Sequence, residues 1–117
     1  MTTPRIAAAR LVVQDLAAAT AEPDGASAAL STAHTVLHES GPLEIGVWEA
    51  GPGTDTDVEA DEVFLVLAGT GTVTFDDGSV LTLNPGALVH LRAGDRTTWH
   101  LTTRLRKLYL TGLPTEA

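Results

Sequence analysis

The rhythm of apolar and polar positions changes near residue 31. Upstream, "ARLVVQDLAAAT" fits neither a clean helical nor a clean strand period, and predicts a short helix or an extended edge segment. "EPDG" at Glu22 to Gly25 is a turn signal, because Pro fixes φ and Gly accepts positive φ. Residues 1–31 are therefore expected to form an arm that packs on or extends the main body. Downstream, short β-type runs alternate with turn chemistry. "HTVLHES" and "LEIGVWEAG" flank Gly41-Pro42, and "EVFLVLAG" follows an acidic loop. "GTVTF" leads to the turn "DDG", "SVLTL" to "NPG", and "ALVHL" to "RAGD"; "TTWHL" and "RLRKLYLTGL" complete the series. These eight or so strands predict an all-β sandwich or barrel over residues 32–113, with a frayed tail at 114–117. Val73 and Phe75 share one face of their run and Thr72 and Thr74 the other, as in a sheet packed on one side. "EVFLVLAG" lacks such alternation and reads as a central strand covered on both faces.

At 117 residues the chain suits one domain with a single core. Aromatic residues make up only 4%, so Val, Leu and Ala must build most of that core. The formal charge of -8 argues against nucleic acid and anionic membranes as partners, since both would repel the protein. Charge is also unevenly placed. Glu49, Asp55, Asp57, Glu59, Asp61 and Glu62 run together without Lys or Arg, while Arg92, Arg96, Arg104, Arg106 and Lys107 gather near the other end. These segments either pair internally or form two solvated faces. With no cysteine there is no disulfide, thiolate metal site or thiol nucleophile. Arg10 and Asp15 interrupt the early apolar stretch, nothing approaches the ~20 apolar residues of a membrane span, and a cytoplasmic location is the default expectation.

The turns expose a spacing. Glu62, six residues and then Gly69 resembles the second half of the first cupin motif, and Gly78 through "NPG" to "LRAG" resembles the second. The likeness is closest to small single-domain cupins grouped with ureidoglycine aminohydrolases and ethanolamine-utilisation proteins. It is carried by Trp48, Glu62, Gly69, Trp99 and the run through Arg106, Lys107 and Tyr109, over roughly Gly46 to Leu110. The resemblance implies a jelly-roll β-barrel of two antiparallel sheets with a ligand pocket inside.

Metal-binding members of that family supply two histidines and a glutamate from the first motif and a histidine from the second. Here the paired histidines would fall at Thr56 and Val58, or at Asp55 and Asp57, and the last at Thr97. Only the acid remains, and Asp55 and Asp57 on a flexible loop would hold at most a weakly bound hard cation. No metal and no other cofactor is expected. His34 and His38 on one strand would lie ~13 Å apart, too far to share an ion, and read as unrelated strand histidines. His90 is expected to face opposite to Val89 and Leu91, and His100 to point outward if Trp99 points inward.

If the strand parity is right, Glu62, Thr97 and Trp99 form a pocket floor, with Asp55, Asp57, Trp48, Lys107 and Tyr109 at its rim. A carboxylate there serves a ligand or a proton transfer; alternatively Glu62 pairs with Lys107 or Arg106 as a structural ion pair. The leading expectation is a metal-independent binder of a small polar metabolite, a sugar or a nitrogen-rich amino-acid derivative. One alternative is a metal-independent isomerase, epimerase or lyase with Glu62 as acid or base. Another is a homodimeric structural or accessory module whose arm crosses the interface.

Overall fold

The computed structural model describes residues 5–114. The arm forms only short elements, and neither a helix nor an extended segment runs through residues 9–20. A helix, α1 (Arg5–Arg10), buries none of its side chains. A single 3-10 turn at Leu16–Ala18 follows, capped by Asp15, whose carboxylate accepts the Ala17 N–H at 3.1 Å. Then comes a two-residue edge strand, β1 (Glu22–Pro23), so the chain turns only after Pro23, with Gly25 at φ 68. An edge tolerates proline because one side of the strand needs no ladder hydrogen bonds.

The eight expected runs all form strands: β2 (Ala33–Ser40), β3 (Leu43–Ala50), β5 (Glu62–Ala68), β6 (Gly71–Phe75), β7 (Val80–Leu83), β8 (Leu88–Leu91), β9 (Arg96–Leu101) and β10 (Leu105–Thr111). The acidic stretch expected to be a flexible loop is also a strand, β4 (Gly53–Val58), paired antiparallel with β9 along its whole length. The sheets are antiparallel, ordered β1-β2-β3-β10-β5-β8 and β4-β9-β6-β7, and they form a two-sheet jelly roll. β5 is a central strand flanked on both edges, but only its inner face is fully covered: Phe64 and Val66 are buried, whereas Val63 and Leu65 on the outer face are half-buried.

Inward residues of the two sheets make one core. Phe64, Val66, Leu91 and Leu105 from the larger sheet join Val73, Leu83, Trp99 and Leu101 from the smaller. Full burial of each large apolar side chain stabilises the fold by roughly 1.5–3 kcal/mol. Two glycines are sterically required. Gly69, the glycine of the Glu62 spacing, sits at φ 91, and a Cβ there would collide with the backbone of Arg104 and Leu105. Gly46 pairs with Tyr109, whose ring lies where a side chain at residue 46 would stand.

The later part of the arm is built into the barrel. Leu30 belongs to the core. The Arg104 guanidinium donates to the Leu30 and Gly51 carbonyls at 3.2 and 3.0 Å, and the Gly51 N–H donates to Leu30 at 2.6 Å. Arg106 donates to the carbonyls of Leu16 and Ala19, fastening the 3-10 turn to the larger sheet. Residues 115–117 of the expected tail lie outside the described residues.

Candidate functional site

At one end of the barrel the two sheets separate around a cavity of about 360 Å³, roofed by the segment between β1 and β2. Its base is β10. Lys107 and Tyr109 alternate with Leu108 and point inward, and both are buried at 4% and 5% exposure. This corrects the expected rim position of Lys107 and Tyr109; their neighbour Trp48 is half-buried in the cavity lining. A lysine is ordinarily a surface residue, but here every part of its head group is engaged. Its ammonium donates to Glu62 Oε2 at 2.6 Å. It also lies 4.3, 4.4 and 4.9 Å from the ring centroids of Trp48, Phe64 and Trp99. Carboxylate and ring faces together compensate the desolvation of the charge.

Glu62 is therefore held in an ion pair with Lys107. Arg106, the other partner that the sequence allowed, points to the opposite face and pairs with Glu49, which also receives Arg104 at 3.6 Å. Beside the pair, Tyr109 donates its hydroxyl to Glu44 Oε2 at 2.7 Å. Burial first, and the Glu44 carboxylate second, raise the phenol well above its usual pKa, so Tyr109 is a committed donor.

The opposite wall comes from β4 and the residue beyond it. Asp55 pairs in register with Trp99 and Asp57 with Thr97, so both aspartates share the inner face with those two residues. Asp55 accepts the Ser27 hydroxyl at 2.6 Å, which holds its pKa below the usual carboxylate range. The residue that sequence reasoning missed is Glu59. Its backbone is locked to the turn at 92–95, donating to Asp95 and accepting from Gly94 at 2.8 and 2.9 Å. Its Oε2 accepts the Thr97 hydroxyl at 2.7 Å and the Trp99 indole N–H at 2.9 Å. Burial pushes the Glu59 carboxyl above its ordinary range; the two hydrogen bonds oppose that shift, and Asp57 adds to it. Thr97 does not itself line the cavity and acts there through Glu59.

A signal for Glu59 was present: Asp55, Asp57 and Glu59 recur at period two, the spacing of one strand face. The mouth adds a second omission. His34, read as an unrelated strand histidine, lines the cavity with its Nδ1 2.7 Å from Asp24, which also accepts the Thr32 hydroxyl at 2.6 Å. Burial works to raise the Asp24 pKa, but these contacts and the Ala26 N–H outweigh it and hold the group low. His38 pairs with Ile45 beyond a register shift in β2 and is not part of the cavity lining. His90 and His100 are exposed, facing away from Leu91 and Trp99, and His100 bonds to Thr54 at 2.7 Å.

This donor set does not fit the metal of metal-binding cupins. The motif carboxylate is taken by an ammonium, and the histidine positions hold Thr56 and Val58, or Asp55 and Asp57, and Thr97. Among the described residues no group of three or more His, Asp or Glu is placed to hold a metal ion. Nor is any helix among them long and apolar enough to cross a membrane.

Comparison with known proteins places this architecture. The chain is similar to the EutQ protein of Clostridium difficile, with 22% identity over 68% of this chain and 65% of that one and a TM-score of 0.59. It therefore spans just under two thirds of that relative's length. A protein of unknown function from Rhizobium leguminosarum bv. viciae 3841 shows 28% identity over 68% of this chain and 78% of its own, with a TM-score of 0.60. Ectoine synthase from P. lautus shares the fold at 14% identity, covering 86% of this chain and 76% of its own, with a TM-score of 0.67. No curated protein sequence matches. Residues 37–109 match the family described as the EutQ-like cupin domain, and with most of its length inside that match the chain belongs to that family.

Proposed function

We propose that this protein binds a small polar metabolite in the barrel cavity without a metal ion. The observation that carries this reading is the half-open cavity of about 360 Å³, which has a saturated base and carboxylates along one side. Cavities of this size that combine aromatic side chains with a few fixed polar groups are the usual form of a small-molecule site. Trp48 and Trp99 supply the apolar surface, while Asp55, Asp57 and Glu59 supply acceptors. Glu62, Lys107 and Tyr109 hold the base in shape.

A metabolite screen by thermal unfolding, run in a chelator, tests this reading. A specific ligand at a hundredfold excess over its Kd stabilises the fold by about 2.7 kcal/mol. Glu59→Gln and Trp99→Phe are expected to weaken that response. Stoichiometric Mn, Fe, Ni or Zn surviving dialysis of the purified protein would overturn the metal-free reading.

The environment of Glu59 favours a second reading, an isomerase, epimerase or lyase that moves one proton. Glu62 is committed to Lys107, so Glu59 is the better acid or base: desolvation favours its protonated form, and Thr97 and Trp99 fix its orientation. Turnover falling by orders of magnitude in Glu59→Gln, with ligand affinity kept, would establish this reading over simple binding. A homodimer is also proposed. The outer face of the larger sheet presents Ile45, Val63, Leu65, Leu108 and Leu110 only half-buried, and Leu88 72% exposed beside them. A strict monomer by light scattering at high concentration would sink that proposal.

A further inference from the structure

The cavity is charged in one direction. Asp24, Asp55, Asp57, Glu59 and Glu62 line it, against one lysine. That lysine is unavailable to a ligand. Glu62 lies 2.6 Å from its ammonium, three aromatic rings surround it, and an anionic ligand would have to displace Glu62 to reach it. Asp55, Asp57 and Glu59, by contrast, enter no ion pair among the described residues. Their present partners are neutral hydroxyl, indole and backbone N–H groups, and the second oxygen of Glu59 meets no donor among the described residues. Asp55 and Asp57 of β4 and Glu59 just beyond it line one side of a half-open cavity, Asp57 exposed at its mouth and Asp55 and Glu59 half-buried, and like charges so placed repel one another. Glu59 shows the result: burial and Asp57 both favour its taking up a proton.

We infer that the ligand of this cavity is a small organic cation bearing a primary amine, which donates its N–H groups to Asp57 and Glu59. This rests on the binding reading above and names the ligand class for the same site. Two observations select an N–H donor over a quaternary ammonium. The aromatic box of Trp48, Phe64 and Trp99, where a quaternary group would stack, already holds Lys107. The groups open to a ligand are carboxylate oxygens, which are best met by charge-assisted hydrogen bonds. A divalent metal is disfavoured because these acids do not converge into a coordinating group.

Thermal unfolding with three matched series tests the inference: the α,ω-diamines from 1,3-diaminopropane to cadaverine, the corresponding diols, and the corresponding dicarboxylates, all at constant ionic strength. Choline and Mg²⁺ complete the panel. At least one diamine is expected to raise Tm saturably, and the diols, diacids, choline and Mg²⁺ are expected not to. Asp57→Asn and Glu59→Gln should each weaken the apparent diamine affinity tenfold or more. Asp76→Asn, in the exposed β6–β7 turn, should leave it unchanged. Equal weakening in Asp76→Asn would mean that the amines respond to bulk negative charge, which overturns the inference. A saturable response to a diol, a diacid, choline or Mg²⁺ in place of the diamines would also overturn it, while leaving a binding cavity standing. No response to any probe in the panel would overturn the inference. If the broad metabolite screen is silent as well, the binding reading falls with it.

Discussion

The base and the wall of the cavity use the same chemistry to opposite ends. On the base, Glu62 and Glu44 each meet a strong donor, Lys107 and Tyr109, and almost nothing of either donor is exposed. On the wall, Asp57 and Glu59 meet only neutral donors and face open volume. Glu59 and Glu62 stand three residues apart, yet one is an element of the scaffold and the other is available to a ligand. The role of a carboxylate here follows from what already neutralises it, not from its place in a motif.

Removing the ammonium from the base should produce the largest effect. Lys107→Met keeps most of the apolar stem, one atom shorter, but leaves Glu62 partly buried without its partner and removes the cation from the aromatic box. Breaking a buried pair from one side costs about 3–5 kcal/mol, read as a lower midpoint in urea unfolding. Lys107→Met combined with Glu62→Gln should recover part of the loss, because it removes the stranded charge. A single-variant loss below about 1 kcal/mol is the value expected of a solvated surface pair, and would dissolve the distinction between base and wall.

Tyr109→Phe tests the other half of the base with a smaller expected effect. The ring continues to fill the space above Gly46, and only the hydroxyl that serves Glu44 is lost. A hydrogen bond to a charged group contributes about 1.5–3 kcal/mol, so the urea midpoint should fall by less than in Lys107→Met. If the variant were as stable as wild type, water would be satisfying Glu44 equally well and the base would be wetter than its burial indicates.

The sequence disclosed the scaffold more fully than the site. Strands such as "GTVTF" and "SVLTL" were legible because glycine and proline turns bracket an apolar rhythm that must face a core. β4 was hidden because its inward residues are Asp55 and Asp57, and a strand facing a polar cavity reverses the apolar-inside pattern. Glu59 is hidden for the same reason. The partner of Glu62 stayed open between Lys107 and Arg106 because adjacent residues on a strand point to opposite faces. Only the parity of β10, fixed by its pairing with β3 and β5, decides between them. The burial of Lys107 is not legible locally, because no sequence pattern announces that three aromatic rings from distant strands will surround it.

The wall should respond least in stability and in the opposite direction. A carboxyl whose pKa in the folded protein lies above its ordinary value of 4.5 binds more protons folded than unfolded between those two values. Its contribution to stability is thus fully present below about pH 4.5 and is lost as pH rises through the raised folded value. Glu59→Gln removes that dependence while its amide oxygen still accepts from Thr97 and Trp99. At pH 7 the variant should equal or exceed wild type, by about 1–4 °C in Tm, and the two melting curves should converge toward pH 4.5. Asp57→Asn should show a weaker form of the same trend, since it removes only the charge that raises Glu59 from outside. A Glu59→Gln variant that is destabilised at pH 7 would mean that the ionised carboxylate is satisfied in the empty protein. The wall would then belong with the base as structure, with no unmet charge left for a ligand to neutralise.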